Sequence, residues 1–258
     1  TDLGVDFYSN SDNLFHHCAF PGQTGYKRII TIASTGKGLF ATDETGRLYS
    51  VSGTTFRRVR PDMRVYAIAA MKVDSRNECL VAMGDHRLTL LSADAKRVLS
   101  RVKTPLGGTS NNVVYYSRRQ RKIYIGNGIG SKSAAYEVVN GRMTECAAHV
   151  PENLKAVTDF REGTAFATDG QGVMVINGQH ARWLTESHDA ICGNAVYTVF
   201  SDNAGNLWLG SYRKGMTQFH QRDMQFNVAS KESRTLPFDL VTAVATQRGN
   251  VFIGMDGG

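Results

Sequence analysis

A four-residue core recurs six times along this chain at nearly constant spacing, and no other feature constrains the fold as much. The cores are Leu39-Phe40-Ala41-Thr42, Leu80-Val81-Ala82-Met83, Ile123-Tyr124-Ile125-Gly126, Ala165-Phe166-Ala167-Thr168, Leu207-Trp208-Leu209-Gly210 and Val251-Phe252-Ile253-Gly254. Their first residues are separated by 41, 43, 42, 42 and 44 residues. A β-rich unit repeating every 40 or so residues is the mark of a radial β-repeat. Four strands of about six residues and four turns of about four fill about 40 residues, so each unit has room for one four-stranded blade.

The fifth unit shows the pattern best. Ala195 to Phe200 reads as a first strand of mixed apolar and β-branched residues. Ser201-Asp202-Asn203-Ala204-Gly205-Asn206 is a turn, where Asp and Asn bond their own backbone and Gly accepts positive φ. Leu207 to Ser211 is the second strand, Met216 to Phe219 the third and Met224 to Val228 the fourth. The same parse places strands at Val65–Met71, Cys79–Met83, Arg87–Leu91 and Val98–Val102, then at Asn112–Tyr116, Lys122–Gly126, Ala134–Val138 and Met143–Cys146. No window of eleven or more residues carries a helical apolar stripe. The expectation is an all-β fold, a β-propeller of four-stranded blades with six repeats visible.

Both ends fall within a unit. Thr1 to Tyr8 overlays on Thr42 to Tyr49, so the chain opens just after a second strand, with third and fourth strands at Val5–Ser9 and Leu14–Cys18. It stops at Met255-Asp256-Gly257-Gly258, again just after a second strand. Half-blades at 1–25 and 235–258 are expected to pair and complete a sixth blade, which removes open sheet edges. The alternative is part of a seven-bladed ring. Residues 1–258 are expected to form a single propeller domain excised from a larger multi-domain protein, because the first residue is not Met and lies in mid-blade.

The fifth unit, Val196-Tyr197-Thr198-Val199-Phe200-Ser201-Asp202-Asn203-Ala204-Gly205-Asn206-Leu207-Trp208-Leu209-Gly210-Ser211, resembles the two-component regulator propeller repeat. The sixth, from Val241 through Gly249-Asn250-Val251-Phe252-Ile253-Gly254, is similar, with Phe252 in place of Trp. Asn111-Asn112-Val113 resembles the family's approach to its first strand. The resemblance implies the periplasmic sensor region of a hybrid two-component system of Bacteroides-type bacteria, part of an inner-membrane protein. It would recognise an oligosaccharide and signal to a histidine kinase. The partners so implied are an oligosaccharide, neutral or acidic, a neighbouring propeller or immunoglobulin-like domain of the same chain, and a second copy in a homodimer. By the same resemblance this region is not an enzyme and needs no cofactor. A structural or protein-interaction propeller is the first alternative, and a polysaccharide lyase or glycosidase the second.

A net charge of +7 permits acidic partners and also suits an ordinary soluble fragment. Propeller ligands meet the face bearing the second-to-third-strand turns and the inter-blade connections. There, Arg64, His86, Arg87, Tyr212, Arg213 and Lys214 are the candidate ligand residues, since Arg forks hold carboxylates or sulfates and aromatic faces stack on sugars. Taken singly, each also fits a solvated loop charge. Asp202, Gly205, Asn206, Trp208 and Gly210, with Gly249, Asn250, Phe252 and Gly254, are expected to be structural, Trp208 packing between blades. The run Arg118-Arg119-Gln120-Arg121-Lys122 falls in a hairpin on the opposite face without interleaved aromatics. It reads as a solvated turn or domain-docking surface, not as a nucleic-acid patch. Seven dispersed histidines make no catalytic or metal-binding motif. Cys18, Cys79, Cys146 and Cys192 lack metal-ligand spacing and read as small buried hydrophobes.

Overall fold

Each repeat core becomes the second strand of an antiparallel sheet, because Gly, Asp and Asn beside it supply the turns that reverse the chain. The computed structural model describes residues 5–18, 28–72, 78–107, 109, 111–128, 132–161, 163–220, 241–247 and 250–255. Numbered along the chain, β1 (Val5–Ser9) and β2 (Leu14–Cys18) make a hairpin. Blade 1 is β3 (Ile29–Thr35), β4 (Gly38–Asp43), β5 (Leu48–Ser52) and β6 (Thr55–Val59). Blade 2 is β7 (Ala67–Lys72), β8 (Glu78–Gly84), β9 (Arg87–Ser92) and β10 (Val98–Lys103). Blade 3 is β11 (Asn112–Ser117), β12 (Lys122–Asn127), β13 (Ala134–Val139) and β14 (Arg142–Cys146). Blade 4 is β15 (Leu154–Phe160), β16 (Gly163–Thr168), β17 (Val173–Asn177) and β18 (His180–Leu184). Blade 5 comprises β19 (Val196–Ser201), β20 (Leu207–Ser211) and β21 (Gly215–Phe219). A last hairpin pairs β22 (Val241–Gln247) with β23 (Asn250–Met255).

The chain divides into two compact units, Thr1–Gln218 and Phe219–Gly258. In the first, the leading strands β3, β7, β11, β15 and β19 are neighbours in series, so the sheets stack around a common axis as propeller blades. The number of blades differs from the expected six or seven. Among the described residues there are five, the fifth with three strands, together with two two-stranded hairpins. The count is five because β1–β2 and β22–β23 each form a two-stranded sheet of their own; the fourth strand expected at Met224–Val228 lies outside the described residues.

The core is built between blades, because each sheet buries both faces. Phe40, Leu48 and Ala33 of blade 1 pack on Ile68, Leu80, Ala82 and Leu91 of blade 2. Met71, Val81, Met83, Leu88 and Leu90 of blade 2 meet Ile123, Ile125 and Tyr136 of blade 3. Tyr124 of blade 3 meets Phe166 of blade 4 edge-on, ring centres 4.9 Å apart. Cys18, at the end of β2, lies against Ala41, Tyr49 and Phe56 of blade 1. Polar ties cross the same seams: Asp159 of blade 4 accepts from Ser117 Oγ (2.6 Å) and the Arg119 amide (3.3 Å) of blade 3. All four cysteines are free thiols.

Candidate functional site

Strict antiparallel order decides which face each turn occupies. The β4–β5, β8–β9, β16–β17 and β20–β21 turns share one face with the connections between blades, and the β3–β4, β11–β12 and β19–β20 hairpins share the other. Arg64 therefore lies on the same face as His86, Arg87, Tyr212, Arg213 and Lys214, and all six are exposed. The basic run 118–122 is on the opposite face, in the β11–β12 hairpin.

On their shared face the six candidates form two groups. Arg64, His86 and Arg87 cluster at blade 2. A Cβ on Gly84 would lie 2.1 Å from the Arg64 carbonyl oxygen, so this connection crosses directly over the end of β8. Asp85 and His86 both hold positive φ, 49° and 57°, which closes the tight β8–β9 turn, and the Thr104 amide donates to the His86 carbonyl at 2.9 Å. Tyr212, Arg213 and Lys214 stand at blade 5. Lys214 is held by Glu186 (Nζ to carboxylate 2.7 Å), which leaves Tyr212 and Arg213 as the open pair.

Tyr212 is one layer of a stack. Its ring lies 4.8 Å from that of Tyr197 at an interplanar angle of 20°. The Arg213 guanidinium lies 4.9 Å over Tyr212, and Lys155 Nζ lies 4.3 Å over Tyr197. Each ring face has room for one such partner, so the order is Lys155, Tyr197, Tyr212, Arg213, with a cation capping each end. Asp169 anchors the inner end, 3.4 Å from Lys155 Nζ and accepting from the Tyr197 hydroxyl at 3.2 Å. Desolvation first, and then the hydrogen bond to Asp169, push the Tyr197 hydroxyl above the usual tyrosine pKa.

This stack borders a cavity of about 430 Å³ on the propeller axis. Its walls come from the leading strands of all five blades, with Ile30, Ile68, Val113, Val114, Ala156 and Val157 as apolar surface. Thr31, Asn111, Asn112, Tyr115, Lys155 and Tyr197 are its polar lining. Asn112 is spoken for, buried and donating to the Gly107 carbonyl at 2.7 Å, whereas Asn111 is exposed.

Three lining residues share one backbone device. The β3–β4 register passes from Ile29↔Asp43 to Thr31↔Thr42, so Ile30 has no opposite number. Likewise β15–β16 skips Lys155 and β19–β20 skips Tyr197. Each is the extra residue of a β-bulge, which kinks a strand and re-aims a side chain. A regular ladder would keep strict alternation at these positions; the bulges break it at Ile30, Lys155 and Tyr197, all three of which line the channel. Period-two reading does not reveal them, and Lys155, Asp169, Tyr197 and Asn111 are the site residues that pattern alone missed as ligand candidates. Asn111 carried a trace of a signal, as part of Asn111-Asn112-Val113.

Asp202 is the centre of a hydrogen-bonded turn. Asp202 accepts from the Asn206 amide, Asn206 Nδ2 and Trp208 Nε1, each at 2.9 Å. The Trp208 and Asn206 donors hold its carboxyl at about 2. Gly205 takes φ 84° to close the turn, and a Cβ on Gly210 would come within 2.6 Å of Thr198. Trp208 is half-buried and tied to its own blade's turn; with Phe200 and Met216 it lines a groove of about 500 Å³. Gly249 lies outside the described residues. Asn250, Phe252 and Gly254 lie in β23, where Phe252 opposes Ala245 in the register position that Trp208 holds opposite Phe200.

A β-propeller with a polar, aromatic-flanked channel mouth is the class that fold and site define. Within it, residues 190–213 match the two component regulator propeller repeat. Solved structures share the fold. The extracellular domain of the putative hybrid two component system BT3049 from B. thetaiotaomicron is 17% identical, with TM-score 0.64 over 99% of this chain and 36% of that one. The corresponding domain of BT4673 from the same organism is 17% identical, with TM-score 0.60 over 84% and 30%. The WD40 β-propeller domain of Doa1 is 10% identical, with TM-score 0.54 over 80% and 67%. The chain spans about a third of the length of the two B. thetaiotaomicron domains. No curated protein matches it. Among the described residues no helix is long and apolar enough to cross a membrane, and no group of three or more His, Cys, Asp or Glu could hold a metal ion.

Proposed function

We propose that this chain is a non-catalytic, ligand-sensing propeller from the periplasmic part of an inner-membrane hybrid two-component sensor, and that it binds an oligosaccharide at the channel mouth. The observation that carries the reading is the Lys155–Tyr197–Tyr212–Arg213 stack beside the polar cavity. Sugars offer hydroxyls to amide and hydroxyl side chains and C–H faces to aromatic edges, and this mouth supplies both. Asn111, Thr31 and Lys155 are hydrogen-bonding partners inside, and Arg213 at the rim is the fork for a carboxylate or sulfate on an acidic sugar. The matched repeat and the extracellular origin of the B. thetaiotaomicron domains support the sensor context. Among the described residues, the cavity lining holds amides, hydroxyls and one ammonium as its polar groups.

Signalling to a histidine kinase requires the sugar to bind two arrangements of the parent protein unequally, with a neighbouring propeller, an immunoglobulin-like domain or a second copy as the moving partner. A scaffold reading draws on the apolar groove of Phe200, Trp208 and Met216, a surface suited to packing against another β-element.

The deciding experiment is thermal stabilisation of the chain and of the parent periplasmic region by a panel of neutral and acidic oligosaccharides. A ligand at one hundred times its Kd adds about 2.7 kcal/mol, a rise of roughly 5–10 °C at this size. A shift in the chain itself that Tyr197→Ala abolishes is the expected result. Shifts indifferent to Tyr197→Ala move the site elsewhere, and silence from both proteins favours the scaffold.

A further inference from the structure

A second cavity, of about 600 Å³, opens between blades 2 and 3 on the opposite face from the channel mouth. Blade 2 supplies one wall with a residue from each strand: Met71, Cys79, Leu90 and Leu99. Blade 3 faces them with Tyr116 and Val138. Met71 and Leu90 belong to the apolar core between these blades, and Cys79, Tyr116 and Val138 pack against it, so the cavity is an opening in the core itself. Leu99 stands 43% exposed at the rim.

The polar end is one-sided. Arg121 lines the mouth from the β11–β12 hairpin, held there by positive φ (53°), exposed, and without an ion-pair partner among the described residues. Tyr116 has no hydrogen-bond partner for its hydroxyl among the described residues. Burial raises its pKa, Arg121 and Arg118 oppose the shift and Asp159 adds to it. A largely apolar interior with one guanidinium and a phenol hydroxyl in its lining matches a particular chemistry. A sugar would leave its hydroxyls unpaired against these walls, and a neutral hydrocarbon would leave the Arg121 guanidinium unused.

We propose that this inter-blade cavity binds a small amphipathic anion, an apolar body carrying one carboxylate or sulfonate. The body lies between the two blades, and the anionic head sits at the mouth on the Arg121 guanidinium with the Tyr116 hydroxyl as second donor. The site is independent of the channel mouth in position and in ligand chemistry, so either reading stands if the other fails.

The test uses the intact 258-residue chain with anilinonaphthalene sulfonate as probe, followed by fluorescence under native conditions, and decanoate as competitor. Saturable binding at one site is expected, displaced by decanoate and not by decanol. Arg121→Gln, a surface change, is expected to weaken binding roughly tenfold, the scale of one charge-assisted hydrogen bond. The exposed control Arg57→Gln leaves it unchanged. A second readout is placed inside the cavity: decanoate slows iodoacetamide alkylation of Cys79, read by mass spectrometry, and leaves Cys146 unaffected. Absence of saturable binding overturns the proposal. So does affinity unchanged by Arg121→Gln, equal displacement by decanol, or Cys79 alkylation indifferent to decanoate.

Discussion

Lys155→Met tests whether the bulged lysine holds the channel mouth together. The ammonium lies 3.4 Å from the Asp169 carboxylate and 4.3 Å from the Tyr197 ring centre, and the lysine side chain is only 13% exposed. At an effective dielectric of about 20, a 3.4 Å pair has a Coulomb energy of about 5 kcal/mol. Asp169 is 33% exposed, so water screens much of that, and the desolvation of both charges opposes it. A net ion-pair contribution of about 1–2 kcal/mol, with about 0.5–1 kcal/mol from the cation on the ring, is the scale to expect. Methionine keeps the apolar stem and removes the charge. The melting temperature should fall by roughly 4–10 °C, read by calorimetry, at about 2–4 °C per kcal/mol. A double-mutant cycle with Asp169→Asn isolates the pair, with an expected coupling of about 1–2 kcal/mol. Coupling under about 0.3 kcal/mol, with melting unchanged in Lys155→Met, would refute the claim that the bulge sets an ordered site.

Phe166→Ala deletes a fully buried ring that meets Tyr124 edge-on, and should cost about 3–5 kcal/mol in chemical denaturation; a loss below about 1 kcal/mol contradicts the inter-blade core. The Asp202 carboxyl is depressed from 3.8 to about 2, so its contribution is fully present above pH 4 or so and lost as pH falls through about 2. Wild type should therefore lose stability more steeply than Asp202→Asn between those values in acid titrations followed by circular dichroism, and parallel curves count against the hydrogen-bonded turn. Gly163→Ala places a Cβ 2.0 Å from the Ile176 carbonyl oxygen, a backbone atom of the adjacent strand. It should lower soluble yield sharply, whereas Gly178→Ala, in open space, should cost only about 1 kcal/mol for its positive φ.

The repeat core carried the fold because burial in a propeller is periodic. Leu80, Ile123, Ala165 and Leu207 open their repeat cores with no exposed surface, and the turn residues between cores can do little but reverse the chain. Strand ends moved by a residue or two: Val65 and Tyr66, read as strand, instead connect blades 1 and 2, where Val65 donates to the Gly46 carbonyl and Tyr66 to that of Met83. The candidate face was legible for the same topological reason, and Tyr212 and Arg213 stand on it beside the cavity. What the pattern hid was Lys155 and Tyr197, because a bulge adds one residue without changing composition. The Trp208 bond was hidden for a related reason. Its indole N–H donates to Asp202 of its own turn, a bond that spacing alone does not reveal.

The bulge also explains how a repeat this regular acquires a site at all. In the ladder, every residue is tied to a partner, and a substitution there disturbs both the sheet and the core between blades. A bulged residue has no partner opposite, so its side chain can change while the hydrogen bonds on either side persist. Blades 1, 4 and 5 carry the bulge and place isoleucine, lysine and tyrosine there, whereas the β7–β8 and β11–β12 registers run without a shift. On the proposed reading, bulged positions can vary toward recognition while the ladder holds the fold. Exchanging Ile30 for Tyr should then alter oligosaccharide preference with little loss of stability. The same exchange at Ile68, 5% exposed and packed in the core between blades 1 and 2, should unfold the protein before any preference can be read.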